Sequence, residues 1–156
     1  MIEVIEQNLL EIQRGIICHQ VNTNGVMGAG IALQIAQMYP QVLDEYQTMC
    51  LEFFDDELLG KAQIIQVDDE LYVANLFAQR LGRTKYGRAT LYDPTTMAWD
   101  EVYQSAYDLG FCGFNTAVID VYMPYMMGCG LGGGEWDIYS TIVDVHCPGV
   151  IACKLV

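Results

Sequence analysis

Residues Gly15–Val21, "GIICHQV", form an apolar run that breaks at Asn22 into "NTNGVMGAG" and resumes from Gly28 as a helical pattern with Ile31, Ile35 and Met38 on one face. A short apolar run, a glycine-rich turn and an amphipathic helix make up the strand-to-helix unit of an open α/β sheet. Ligands of such sheets bind outside the carboxyl ends of the strands. Glycines 25, 28 and 30 let the backbone approach a ligand closely, and the helix N-terminus adds N–H groups that favour an anion.

The remaining chain follows the same alternation. Further runs rich in Val, Ile and Tyr predict strands at Met1–Ile5, Ala62–Val67, Leu71–Phe77, Ala117–Met123 and Val150–Val156. Helical patterns cover Gly28–Met38 and Gln41–Phe54, with Pro40 between them. Two more run from Pro94 to about Leu109, with Asp93 as cap and Gly110 as stop, and from about Glu135 to His146. "QVDDEL" (Gln66–Leu71) reads as a hairpin turn, so part of the sheet is expected to be antiparallel, in an α/β layered fold. The 156 residues suit one domain, 1–156, with enough core to fold: hydrophobic residues are 53% and charged residues 17%.

Charge narrows the partners. Twenty acidic residues against 7 basic ones give a net charge of -13, which removes the counterion-release term behind duplex nucleic-acid binding. A phosphate-bearing ligand must then be held by backbone N–H groups rather than by a basic cleft. The one basic cluster is Arg80, Arg83, Lys85 and Arg88, in the loop Gln79–Ala89; it either reaches a terminal phosphate or is a plain surface loop. The N-terminus lacks a signal-peptide pattern and no apolar run is long enough for a membrane span, so a cytoplasmic location is expected. The six cysteines form no CxxC pair and read as reduced thiols. Neither they nor the two histidines stand at metal-ligand spacing, so no metal or other cofactor is expected.

A second glycine-rich loop, "GCGLGGG" (Gly128–Gly134), again follows a strand and precedes a helix. The two loops together suit the two phosphates of a diphosphate without a lysine. Asn22 and Asn24, two apart, face one side of an extended backbone and suit the vicinal hydroxyls of a ribose, unless they only cap the turn. His19 at the strand end either transfers a proton beside a bound phosphate or is a buried structural histidine. Asp55–Asp56–Glu57 reads as a solvated turn, and His146 as a helix-end residue.

Four segments stand in a known order: "VNTNGVMGAGIA" (Val21–Ala32), "YPQVLDEY" (Tyr39–Tyr46), "LLGKAQI" (Leu58–Ile64) and "MPYMMGCGLGGGEW" (Met123–Trp136). Over nearly its whole length the chain resembles a macro domain, the ADP-ribose-binding module. Within it, the chain is similar to the yeast-type ADP-ribose 1″-phosphate phosphatases and the related terminal ADP-ribose glycohydrolases. The resemblance implies a three-layer α/β/α fold on a mixed sheet of about six strands. It places Asn22 and Asn24 near the distal ribose and Met27, Gly28, Ala29 and Gly30 along the diphosphate. Gly128, Cys129, Gly130, Leu131, Gly132, Gly133 and Gly134 close the other side; of the aromatics near the loops, Phe77 and Tyr125 are candidates to cover adenine or ribose, while Trp136 is read as a packing residue under the loop.

Both groups carry a histidine three residues before the asparagine, as His19 stands before Asn22, which makes it the candidate catalytic residue. Asn8 stands where the family has an aspartate that receives the adenine amino group. Gln79 and Gly132 stand where the glycohydrolases have a lysine and an aspartate. The function implied is ADP-ribose binding with hydrolysis of ADP-ribose 1″-phosphate. The alternatives are a binder that reads ADP-ribosylation or sequesters a cyclic or other NAD-derived nucleotide, and an ADP-ribosyl hydrolase. The compact, acidic chain suits a small stand-alone protein of a microbe or of its virus.

Overall fold

The computed structural model describes residues 1–80, 89–113, 119–130 and 132–155. Six strands, β1 (Glu3–Glu6), β2 (Gly15–Val21), β3 (Ala62–Asp68), β4 (Leu71–Phe77), β5 (Val121–Pro124) and β6 (Ile151–Lys154), lie in the order β1-β6-β5-β2-β4-β3. All neighbours are parallel except β3, which returns antiparallel on β4 through the expected hairpin. β2 is central, and each of its 7 residues is buried. That explains its near-continuous apolar run, because a parallel strand covered on both faces has no solvent side to make polar.

Among the described residues, five helices flank the sheet: α1 (Gly30–Met38), α2 (Pro40–Glu52), α3 (Asp55–Leu58), α4 (Tyr92–Asp108) and α5 (Trp136–His146). Successive residues of β2 feed opposite faces, as the strand period of two requires. Ile16 and Cys18 pack with Trp99 and Val102 of α4 and Tyr139 and Val143 of α5. Val21, with Val73 and Phe77 of β4, packs with Ile35 of α1 and Val42 and Tyr46 of α2. The result is the expected three-layer α/β/α arrangement on a mixed sheet. Trp99, Tyr46, Tyr139 and Phe77 are among its largest fully buried side chains, each worth ~1.5–3 kcal/mol.

Several boundaries differ from the sequence reading, for local reasons. Pro40 opens α2 at its first turn rather than merely separating two helices, since a missing N–H costs nothing there. α4 begins two residues before Pro94, so Asp93 lies inside the first turn and Leu91 holds the cap position without a side-chain bond. Asp55–Asp56–Glu57 is helical rather than a plain turn, with the Glu57 side chain accepting the Phe54 N–H at 3.0 Å. Leu9–Glu11 adds a 3-10 turn that no apolar period announced. Residues 117 and 118 of the expected fifth strand, and Val156 of the last, lie outside the described residues.

Candidate functional site

At the carboxyl end of β2, between its neighbours β4 and β5, a cleft of about 730 Å³ opens. Gly28, Ala29, Gly30, Ile31 and Ala32 at the start of α1 form one wall; Tyr125, Met126, Met127, Gly128, Gly130 and Gly132 form the other. The two glycine-rich segments, about a hundred residues apart in the chain, thus face one space. Ala29, the N-cap of α1, is extended at φ -150° and ψ 159° and offers no capping side chain, so the first-turn N–H groups keep no side-chain acceptor. Together with the helix dipole they suit an anion. No Lys, Arg, His, Asp or Glu stands among the described lining residues.

The floor is a buried polar network. Trp99 Nε1 donates to the Tyr139 hydroxyl at 3.5 Å, and Tyr139 donates to Gln20 Oε1 at 2.9 Å. Gln20 Nε2 donates to Thr90 Oγ1 at 2.9 Å and to Gln79 Oε1 at 2.8 Å. Thr90 closes the chain by donating to the Gly128 carbonyl at 2.8 Å, while its backbone N–H donates to the Gly132 carbonyl at 3.0 Å. Burial pushes the Tyr139 phenol up, so it stays protonated and remains a donor.

This network dictates glycine. At Gly128, where φ is 77°, a Cβ would lie 2.9 Å from the Tyr139 ring and 3.2 Å from the Gln20 amide. At Gly132 it would lie 2.4 Å from Thr90 Oγ1. Tyr125 is braced edge-on by Trp136, ring centroids 5.3 Å apart, with Lys154 Nζ 5.3 Å from its own ring. Trp136 packs against the α4/α5 core, the packing role that its place under the loop suggested.

Of the residues singled out by sequence, Asn22, Gly28, Ala29, Gly30, Gly128, Gly130 and Gly132 meet at the cleft. Others stand elsewhere. His19 is fully buried on β2 rather than on the cleft surface, with Nε2 2.5 Å from Asn75 Oδ1 on β4. Desolvation lowers its pKa to about 4 despite that bond, so the ring is neutral. Asn75 in turn donates to Gln63 Oε1 at 3.1 Å, extending a polar rung across β2, β4 and β3.

Asn22 does line the cleft, but its amide is already engaged: Nδ2 donates to the Val26 carbonyl at 2.9 Å, and Oδ1 accepts from Asn24 N at 2.9 Å and the Tyr46 hydroxyl at 2.7 Å. The chain turns there, so Asn24 leaves the extended alternation that would have placed it beside Asn22; it is exposed and outside the lining. Asn8 caps the 3-10 turn, accepting from Leu10 N at 3.0 Å, instead of facing the cleft. Met27 and Phe77 are core residues, Phe77 stacked on Tyr46 with centroids 5.8 Å apart.

Cys129, Gly133 and Gly134 stand outside the lining; the last two bond within the loop to Gly130 and Gly128. Leu131, Arg83, Lys85 and Arg88 lie outside the described residues. Arg80 lies 3.8 Å from Asp55 and 3.7 Å from Asp56. The sequence reading passed over Gln20 and Thr90. A signal for Gln20 existed: a polar side chain near the carboxyl end of a buried parallel strand, where crevices form. Thr90 carried none. Among the described residues no group of three or more His, Cys, Asp or Glu converges as a metal site would require.

No protein-family model matches the chain. It is 36% identical over 93 residues to an ADP-ribose 1″-phosphate phosphatase of Candida glabrata, spanning 57% of this chain and 51% of that protein. A phosphatase of the same description from Saccharomyces cerevisiae is 31% identical over 90 residues, spanning 56% and 50%. The chain thus spans about half the length of these curated relatives. A macrodomain protein of Streptomyces coelicolor superposes with a TM-score of 0.74 at 21% identity, over 99% of this chain and 98% of that one. Thermosipho africanus DarTG, in complex with ADP-ribose, superposes with a TM-score of 0.74 at 19% identity, over 97% of this chain and 40% of that one.

Proposed function

From a chain with the macrodomain fold, we propose that the cleft binds ADP-ribose and that its reaction is hydrolysis of ADP-ribose 1″-phosphate to ADP-ribose and phosphate. The observation that carries this reading is the meeting of the α1 N-terminus with the glycine loop across one cleft. Backbone N–H groups there take the place of cations around the diphosphate, in keeping with a chain of net charge -13. The same preorganised donors would stabilise charge that develops on the phosphoryl oxygens as water attacks. Tyr125, held by Trp136, offers a flat wall to base or ribose. Duplex nucleic acid is no partner in this reading, because the acidic surface repels it. Six unpaired thiols support a reducing, cytoplasmic setting; among the described residues no helix is long and apolar enough to cross a membrane.

One observation favours a second reading. Tyr125 is the only titratable side chain among the described lining residues, and His19 is sealed and neutral, which suits a binder that returns its ligand unchanged. Phosphate release from ADP-ribose 1″-phosphate, with calorimetry on ADP-ribose, separates the two. Release with turnover supports the phosphatase, and binding without release supports the binder. Neither binding nor release overturns both. His19→Ala at the wild-type rate agrees with a purely structural histidine. Loss of release in a folded variant that still binds ADP-ribose would return His19 to the mechanism.

A further inference from the structure

The orientation of Gln79 follows from two groups whose hydrogen-bonding roles are fixed by their chemistry. An indole N–H only donates, and a carbonyl only accepts. Because Trp99 Nε1 donates to the Tyr139 oxygen at 3.5 Å, the Tyr139 proton is left for Gln20 Oε1 at 2.9 Å. At the other end, the Gly128 carbonyl takes the Thr90 hydroxyl proton at 2.8 Å, so Thr90 Oγ1 accepts from Gln20 Nε2 at 2.9 Å. Both ends impose one orientation on the Gln20 amide, carbonyl toward Tyr139 and amino group toward Thr90. The second N–H of that amino group meets Gln79 at 2.8 Å, and only Oε1 of Gln79 can accept it. The amino group of Gln79 is therefore the end turned away from Gln20, on a residue that lines the cleft.

We propose that Gln79 is a specificity-determining residue: its Nε2 donates to a terminal phosphoryl oxygen of the bound ligand, with Gln20 as the positioning residue that holds it in that orientation. The inference rests on the reading of the cleft as an ADP-ribose site. The choice of phosphoryl over hydroxyl comes from the donor set. With Oε1 engaged by Gln20, Gln79 has two N–H groups to offer and its acceptor is turned inward. A ligand hydroxyl would find no acceptor there for its own proton, whereas phosphoryl oxygens carry only lone pairs. Neutral N–H donors suit an anion where no described lining residue is cationic.

The test compares ADP-ribose 1″-phosphate, by KM where it is turned over and by Kd where it is not, with the Kd of ADP-ribose, for wild type, Gln79→Glu and Gln79→Met. Thermal unfolding is followed in parallel. Gln79→Glu replaces the donors by an anionic acceptor and is expected to weaken the phosphorylated ligand by about ten-fold or more, with ADP-ribose changing less than about two-fold. Gln79→Met, which keeps the shape, loses part of the same discrimination. Gln20→Leu removes the amide that engages Gln79 Oε1 and is expected to bring the ratio of the two affinities toward one. Equal losses for both ligands, or none in folded Gln79 variants, overturn the proposal and leave the ADP-ribose reading standing. Full discrimination in folded Gln20→Leu overturns the role of Gln20. A wild-type protein that binds neither ligand overturns the reading of the cleft itself.

Discussion

His19 shows how a single burial event sets chemistry. Its place on the central strand removes water from both ring nitrogens; Nε2 meets Asn75, while Nδ1 has no hydrogen-bond partner. Asn75 uses its amino group on Gln63, so its oxygen is the end that meets the ring, and the neutral imidazole must carry its proton on Nε2. A pKa lowered from 6.5 to about 4 makes protonation cost folding free energy. The stabilisation is fully present above the unfolded value near 6.5 and is lost as pH falls through about 4. Denaturant titrations from pH 7 to 4 should therefore show wild type losing about 3 kcal/mol more than His19→Asn. Parallel curves for the two proteins would mean that the ring is reached by solvent or by a partner charge.

At the scale of elements, α1 is built to be incomplete. Ala29 holds the N-cap in extended conformation, yet alanine has no oxygen to accept from the first-turn N–H groups. Ala29→Asp supplies that acceptor and places negative charge at the positive end of the helix. Melting curves should show a gain of about 1 kcal/mol, while calorimetry with ADP-ribose should show affinity falling by about ten-fold or more. A variant that is stabilised and still binds at full strength would move the anion away from this helix end. The opposite wall depends on Thr90, which holds Gly128 by its hydroxyl and Gly132 by its N–H, so the glycine loop takes its shape from a residue about forty positions earlier.

The whole molecule carries a net charge of -13 around the cleft proposed to take an anion. Local N–H groups attract the ligand at contact, while the summed field opposes its approach. Raising ionic strength from about 10 mM to 150 mM shortens the Debye length from about 30 Å to 8 Å and should increase the association rate of ADP-ribose, measured by stopped-flow. A rate that falls with salt would reveal a positive local field at the mouth.

The hydrophobic period, the proline at the start of α2 and the glycines of both loops announce their elements, because periodicity and turn chemistry depend on residues within one or two turns of each other. The two cleft walls were legible for the same reason. Asn22 shows where this reading stops: an amide that suits a ribose was already bound to Val26, Asn24 and Tyr46 once the chain turned. His19 met the same limit, since strand alternation says that it points away from Gln20 but not what covers it. Gln20, Gln79, Thr90 and Tyr139 come together across sequence separations of 59, 70 and 119 residues. Sequence by itself determined the layered fold and the glycine-lined crevice, through interactions that are local along the chain. Tertiary structure alone decided which polar groups remain free in that crevice, because a buried donor or acceptor takes whatever partner the packing of distant strands and helices brings within reach.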